Sequence, residues 1–374
     1  MIIGILKDAA PERRAALLPE HVKHLISRKT EFRIETGAGS EAFADDRAYE
    51  EAGAKVVSRR EVLEQAHLLV QISEPDENLL NMLKPDQIWL SEYKPLWNKE
   101  LVKQFQAKKL TSFSMDSIPR TTRAQSMDVL SSMATVAGYK AVLDAAAHLP
   151  SFFPMFMTAA GTIRPANVLI LGAGVAGLQA IAIARKLGAQ VEAFDVRSAV
   201  KEEVMSLGAR FVEVEGAKED AAAGGYAIEQ TEDYKRRQQE AINQHAAKAG
   251  VIICTAQIPG RKAPLLISKE VVATMQPGSV IIDLASSSGG NCELSEDNKT
   301  VVKHGVTIIG QSNYPAQMPK DASKMFGKNV SNFLELLIAE DGSLNLNFKD
   351  EIVRGTCITH QGEIYNERVK SVIG

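Results

Sequence analysis

Three glycines in the run GAGVAG, Gly172, Gly174 and Gly177, have the spacing G-x-G-x-x-G, and an acidic residue, Asp195, follows about 20 positions later. This spacing suits contact with phosphate. Gly172 permits a tight turn, Gly174 lets the backbone come close to a pyrophosphate, and Gly177 lets a helix pack tightly on a strand. A helix starting here turns unpaired N–H groups and the positive end of its dipole toward the anion. Asp195 can accept from the hydroxyls of an adenosine ribose, and an acid there rather than Arg or Ser favours NAD over NADP. The competing reading is a purely structural turn, but the flanking pattern speaks for a dinucleotide. Val168 to Leu171 is a short apolar strand, and the helical pattern after the glycines runs through Leu187 to a stop at Gly188. Val191 to Phe194 is a second strand that ends at Asp195.

A second polar group lies earlier, from Arg120 to Asp128, with Ser131 just beyond. Arg120, Arg123, Gln125, Ser126, Asp128 and Ser131 place donors and acceptors within one short run. Gln125 has both a donor and an acceptor, which suits a nicotinamide carboxamide or ribose hydroxyls. Arg120 can engage a pyrophosphate or ribose, braced by Asp128. The same residues also read as a solvated helix entrance with Ser126 as N-cap. A third group is Gly224-Gly225-Tyr226-Ala227, inside a charged stretch, 215–233, that is long for a connection in a compact domain. Paired glycines and Tyr226 have the composition of a lid over a bound cofactor; a surface excursion is the plainer reading.

A substrate dehydrogenase also moves a proton with its hydride. The seven histidines are His21, His24, His67, His148, His245, His304 and His360, and none has a carboxylate partner evident from sequence. No metal-ligand spacing and no G-x-S-x-G turn appear, so no metal site is expected. Either the acid/base group is hidden or the reaction needs none.

The elements that must position these groups form two α/β patterns. Strand-like segments at Ile2–Leu6, Phe32–Glu35, Lys55–Val57, Leu68–Ile72, Ile88–Leu90 and Leu110–Phe113 alternate with helical ones at Pro19–Ser27, Arg47–Ala52, Asn78–Leu83 and Lys99–Gln106. A long Ala- and Met-rich helix at about 126–148 links this region to the next, and Pro150 and Pro154 end it. Beyond it, Val168–Leu171, Val191–Phe194, Arg210–Val214, Val251–Thr255, Val280–Leu284 and Val306–Ile309 complete six strands. A helix near Ser323–Ile338 and a hairpin around Gln361-Gly362 close the chain. The fold class expected is α/β, with two Rossmann-like doubly wound domains joined by a long helix. The first, discontinuous, takes 1–130 plus 319–374, and the second, NAD-binding, takes 131–318.

The composition fits this. The chain has 374 residues, enough for two domains with a core each. A net charge of −3 gives no reason to expect nucleic acid as a partner. Three scattered cysteines without C-x-x-C suit free thiols in a reducing compartment. No signal peptide is expected from the opening IIGIL. The uncharged run Pro165–Ala184 is as long as a membrane span, yet its glycine turn, Asn167 and Gln179 make it a strand, turn and helix of a soluble core.

RAQSMDVLSS (123–132), AGYKAV (137–142), MTAAGT (157–162), GAGVAGLQAI (172–181), GGYA (224–227), IPGRKAPLLI (258–267), QPGSVIIDLA (276–285) and GGNC (289–292) together resemble one family across nearly the whole chain. It is the NAD(H)-binding component, domain I or alpha subunit, of proton-translocating NAD(P) transhydrogenase, within the alanine dehydrogenase/transhydrogenase family. RAQSMD and GGYA are the specific signals; GAGVAG alone is not.

The resemblance implies that Arg120, Gln125, Asp128 and Ser131 serve the nicotinamide end of NADH. It implies that Gly172, Ala173, Gly174 and Val175, with Asp195, Val196 and Arg197, serve the pyrophosphate and adenosine, and that Gly225 and Tyr226 belong to a mobile loop. Gln257, in TAQIPG, departs from the Leu common in the family. The resemblance further implies a homodimer, cytoplasmic and peripheral to the inner membrane. It would dock on an NADP(H)-binding component carried by a membrane-embedded, proton-conducting component. The end of the chain at Gly374 without a membrane segment suits the arrangement with separate subunits.

Alanine dehydrogenase is the alternative. Arg14, in ERRAALLP, matches the arginine that holds substrate carboxylate in that family. The lysine of that family's site reads Ser73 here, in QISEP, and the histidine region reads SEYKPLW (91–97). The amino-acid site therefore looks dismantled, which agrees with hydride passing directly between two nicotinamide C4 atoms. Such a step needs proximity, with the carbons about 3–3.5 Å apart, and no proton donor.

Overall fold

The structure is a computed structural model, and it describes residues 1–216, 230–258 and 260–373. The chain divides into two compact units, Met1–Met133 with Pro315–Gly374, and Ala134–Tyr314. The boundary falls inside the helix Val129–His148.

Unit 1 is built on a parallel sheet of β1 (Ile2–Ile5), β2 (Glu31–Glu35), β3 (Lys55–Val57), β4 (Leu68–Val70), β5 (Ile88–Ser91) and β6 (Thr111–Ser114). Their spatial order is 3-2-1-4-5-6, extended past β6 by two antiparallel strands, Cys357–His360 and Glu363–Ile364. β4, β5 and β6 are buried along their whole length. Buried parallel strands read as continuous apolar runs rather than alternating ones, and LLV and IWLS do so. Polar side chains mark the helix starts. Ser58 and Glu61 form a reciprocal capping box on Arg59–Gln65, and Asp45 and Asp76 cap the helices after them.

Unit 2 opens on the remainder of the helix Val129–His148, followed by an exposed antiparallel hairpin, β7 (Phe156–Thr158) and β8 (Gly161–Ile163). Its sheet comprises β9 (Asn167–Leu171), β10 (Gln190–Phe194), β11 (Arg210–Phe211), β12 (Val251–Cys254), β13 (Val280–Asp283), β14 (Lys299–Lys303) and β15 (Val306–Gly310). The order is β11-β10-β9-β12-β13-β15-β14, with only β14 antiparallel to its neighbour. The six parallel strands thus repeat the 3-2-1-4-5-6 order of unit 1. This is the doubly wound α/β class read from the sequence.

Several local readings change. The strand expected at Arg210–Val214 is only Arg210–Phe211. The linking helix starts at Val129 rather than 126, after a 3-10 segment, Thr122–Met127. Its small residues do allow close packing: a Cβ on Gly138 would lie 2.2 Å from the Ala176 carbonyl oxygen. The end of the charged stretch 215–233 is helical, because Thr231 caps a helix at Glu232–Ala246.

Candidate functional site

In unit 2, β9 ends at Leu171 and only residues 172–174 separate it from the helix Val175–Lys186. Gly172 makes the turn with a φ of 102°, a conformation that L side chains avoid. Gly177 can carry no side chain, because a Cβ would lie 1.9 Å from the Gly172 carbonyl oxygen. A Cβ on Gly174 would meet nothing within 4 Å, so its backbone borders open space. No side chain caps the helix, which leaves its first N–H groups for another acceptor. Thr255 steadies the turn from β12, its Oγ1 donating to the Gly172 carbonyl at 2.8 Å.

Asp195, at the end of β10, is brought to this turn and is buried. Its Oδ2 accepts from the Ala173 N–H at 2.7 Å and from Arg197 Nη2 at 2.7 Å. Its Oδ1 accepts from the Arg197 backbone N–H at 2.8 Å and from Arg197 Nε at 2.9 Å. Val196 packs on an apolar cluster that includes Phe194 and Ile252. Gln257 is exposed and donates through Nε2 to Ser288 Oγ at 3.1 Å. Gly225 and Tyr226 lie outside the described residues.

Two residues under this half-site have no role in the sequence reading. Asp283, fully buried at the end of β13, accepts from the N–H groups of Ala285, Asn291 and Cys292 at 2.9–3.0 Å. Asn291, also fully buried, donates to the Ala256 and Pro264 carbonyls and accepts from the Ala256 N–H. Together they hold the loop that carries Gln257. The signal was present in two places, as an acid ending the apolar run VIID and as the polar member of GGNC.

The second group of predicted residues lies in unit 1. Ala124 and Met127, three apart in the 3-10 segment, point inward and anchor it. Arg120, Arg123, Gln125 and Ser126 are exposed. Arg123 forks onto Asp350 at 2.7 and 2.5 Å. Asp128, rather than Ser126, supplies the helix-capping contact: its Oδ1 accepts from the Ser131 N–H at 3.0 Å and its Oδ2 from the Ser131 hydroxyl at 2.6 Å. The Ser126 carbonyl accepts from Asn329 and Asn332 on the helix Pro319–Leu334.

Unit 1 also has a mouth at the C-terminal ends of its parallel strands, where such sheets take ligands. It is filled by the chain itself. Glu12 grips Arg14 through Nε at 2.8 Å and Nη2 at 2.7 Å, and both residues are buried. Asp8 accepts from the backbone N–H groups of Ser73 at 2.9 Å and Ile72 at 3.1 Å. Burial pushes the Asp8 carboxyl up against the pull of those two N–H groups. Asp116, after β6, is pushed up to about 7 by burial, with Glu92 adding to the rise. Two histidines have carboxylate partners that sequence spacing hid: His24 with Glu335 at 2.8 Å and His245 with Glu192 at 2.6 Å.

Comparison with known proteins gives a consistent picture. The family model for Alanine dehydrogenase/PNT, N-terminal domain, matches residues 4–137, and that for Alanine dehydrogenase/PNT, C-terminal domain, matches 141–367. The first portion of the split NAD(P) transhydrogenase subunit alpha of Rhodospirillum rubrum is 45% identical over 376 residues, covering 97% of each chain. A crystal structure of transhydrogenase from Sinorhizobium meliloti matches with a TM-score of 0.89 at 40% identity, over 97% of this chain and 100% of that one. Alanine dehydrogenase of Bacillus subtilis (strain 168) is 27% identical over 385 residues, covering 100% of this chain and 95% of that one.

Proposed function

On the premise that the chain belongs to the NAD(P) transhydrogenase alpha-subunit family, within the alanine dehydrogenase/PNT group, we propose that it is the NAD(H)-binding subunit of proton-translocating transhydrogenase. Hydride would pass directly between NADH on this chain and NADP+ on a partner component. Proton movement through a membrane-embedded component would be coupled to that transfer. The proposed place of this subunit is cytoplasmic and peripheral to the inner membrane, through those partners; among the described residues, no helix is long and apolar enough to cross a membrane.

The residues fit an NAD. Gly172 and Ala173 shape the turn, their N–H groups given to the Phe194 carbonyl and Asp195, and Gly174 and Val175 offer backbone N–H groups and open space to a pyrophosphate. Asp195, with Val196 and Arg197, takes the adenosine ribose, and Gln257 borders the same turn. The resemblance assigns Gly225 and Tyr226, outside the described residues, to the nucleotide as well. In unit 1, Arg120 and Gln125 receive the nicotinamide end, while Asp128 and Ser131 brace the segment that carries them. A bound nicotinamide would supply or accept the hydride, and Arg120 and Gln125 would orient it.

The observation that carries this reading over amino-acid dehydrogenation is the Arg14–Glu12 pair. Arg14 gives one of its two bidentate edges, Nε and Nη2, to buried Glu12, so a carboxylate of the chain itself already holds that edge. Ser73, where the resemblance puts a lysine, brings Asp8 a backbone N–H and a hydroxyl but no cation. The homodimer has support in unit 2, where the hairpin region exposes Phe152, Met155, Phe156 and Met157, the last by 78%. Apolar side chains grouped in this way suit contact with a second copy.

The test is to mix the purified chain with an NADP(H)-binding transhydrogenase component and follow hydride exchange between NADH and the bound NADP+. Exchange that requires both proteins is expected. NADH binding without exchange would sink the proposal, and alanine-dependent NAD+ reduction by the chain alone would replace it.

A further inference from the structure

Gln125 is exposed on a short 3-10 segment, and such a segment holds few hydrogen bonds of its own. Its direction must be fixed by neighbours. On one side, Arg123 is pinned by its fork onto Asp350, which also caps the helix Glu351–Thr356 by accepting the Ile352 N–H at 2.8 Å. On the other side, the Ser126 carbonyl receives two side-chain amides. Asn329 Nδ2 donates at 2.8 Å and Asn332 Nδ2 at 2.9 Å, from positions three apart on one helix. A carbonyl oxygen has two lone pairs, and both are taken. Gln125 therefore stands between two clamped residues.

The chemistry of Asn329 argues that donation is its purpose. It is 6% exposed, and its Oδ1 is buried without a hydrogen-bond partner. A buried oxygen left unpaired carries a desolvation cost, which an apolar side chain of similar size would avoid. Packing alone would favour such a side chain. An amide retained in spite of that cost is explained by the N–H it gives to Ser126.

We propose that Asn329 and Asn332 are positioning residues for hydride transfer, holding the Ser126 carbonyl so that Gln125 is aimed at the nicotinamide. This rests on the reading of Gln125 as a nicotinamide contact. Neither asparagine touches the reacting atoms; each acts through the backbone of the 3-10 segment.

The test uses Asn332, because it is half-buried and its loss is easier for the fold to absorb. Asn332→Asp keeps the shape but sets carboxylate oxygens against a carbonyl oxygen, and Asn332→Ala removes the donor alone. In complex with the NADP(H)-binding component, single-turnover transfer from NADH should fall about tenfold for Asn332→Asp and by less for Asn332→Ala. NADH affinity should stay within about threefold and Tm within about 3 °C of the parent. Gln125→Asn should slow transfer too, and Asn332→Asp should add nothing in that background. Rates within twofold of the parent, or losses that multiply in the double variant, would overturn the proposal. A readout without the partner separates this from failure of the function itself. The fluorescence anisotropy of bound NADH should fall in Asn332→Asp as the nicotinamide gains freedom. If the parent binds NADH but exchanges no hydride, the proposed function fails. An anisotropy equal to the parent's then overturns the positioning role as well.

Discussion

The two sheets share the strand order 3-2-1-4-5-6 and differ in what the chain places at the mouth of each. In unit 2 the first strand reaches its helix across residues 172–174, all small, and leaves the Gly174 backbone and an uncapped helix start facing open space. In unit 1 the stretch after β1 runs from Leu6 to Leu18 and fills the mouth with Asp8, Glu12 and Arg14. Topology gives both units a crevice, and side chains decide which one stays a site.

The sharpest break of this contrast is in the glycine turn. Gly177→Val would drive a side chain into the Gly172 carbonyl, so the turn must move. NADH affinity should drop by at least ~100-fold, about 2.7 kcal/mol, in a fluorescence titration, with a clear fall in Tm. An unchanged affinity would mean that the nucleotide does not use this turn. The counterpart in unit 1 is Glu12→Ala, which takes the paired carboxylate from the buried Arg14 and leaves it Asp8 and Glu92 as acidic neighbours without those hydrogen bonds. Breaking such a pair costs about 3–5 kcal/mol, read as a lower denaturation midpoint. NADH affinity of the folded variant should stay within about twofold, and a larger loss would make this mouth a portion of the site.

The smallest effect expected is on pH dependence. Asp116 has a folded pKa of about 7 against an ordinary 3.8, so between these values the folded state binds more protons than the unfolded one. The stability this lends is fully present below about pH 4 and is lost as pH rises to about 7. Asp116→Asn cannot titrate. Its Tm should therefore vary less over that window and should exceed the parent's at pH 8 by about 2–4 °C, roughly 1 kcal/mol. A parent and variant with parallel pH profiles would show that Asp116 is not held in the protonated state.

Much of the fold was legible because buried parallel strands are apolar runs, as in VLIL, VIIC and VIID, and because the glycine spacing marks one turn. The hairpin at 156–163 was missed. FMT and GTI are too short and too exposed to carry a strand period. KTVVK, at β14, escaped because lysines at both ends hide its apolar centre. The chemistry of single residues was legible only where the partner was near in sequence or the motif was specific. Asp195 followed from the glycines, whereas Asn329 meets Ser126 across 203 positions. The run ERR named two arginines and gave no sign that Glu12 would hold the second. Such pairings depend on which loops the sheet brings together, and no periodicity records that.

Asp195 has one more consequence. A carboxylate offers about four acceptor positions, and here four donors of its own chain already fill them. A ribose that reaches this residue must displace a donor, and the side-chain one is the Arg197 guanidinium, the other two being backbone N–H groups. Binding there is an exchange of partners, so the heat released at that contact should be small. The released guanidinium is then a cation beside the ribose, available to a second acceptor. On the proposed reading, recognition of the adenosine end would begin with a side chain letting go.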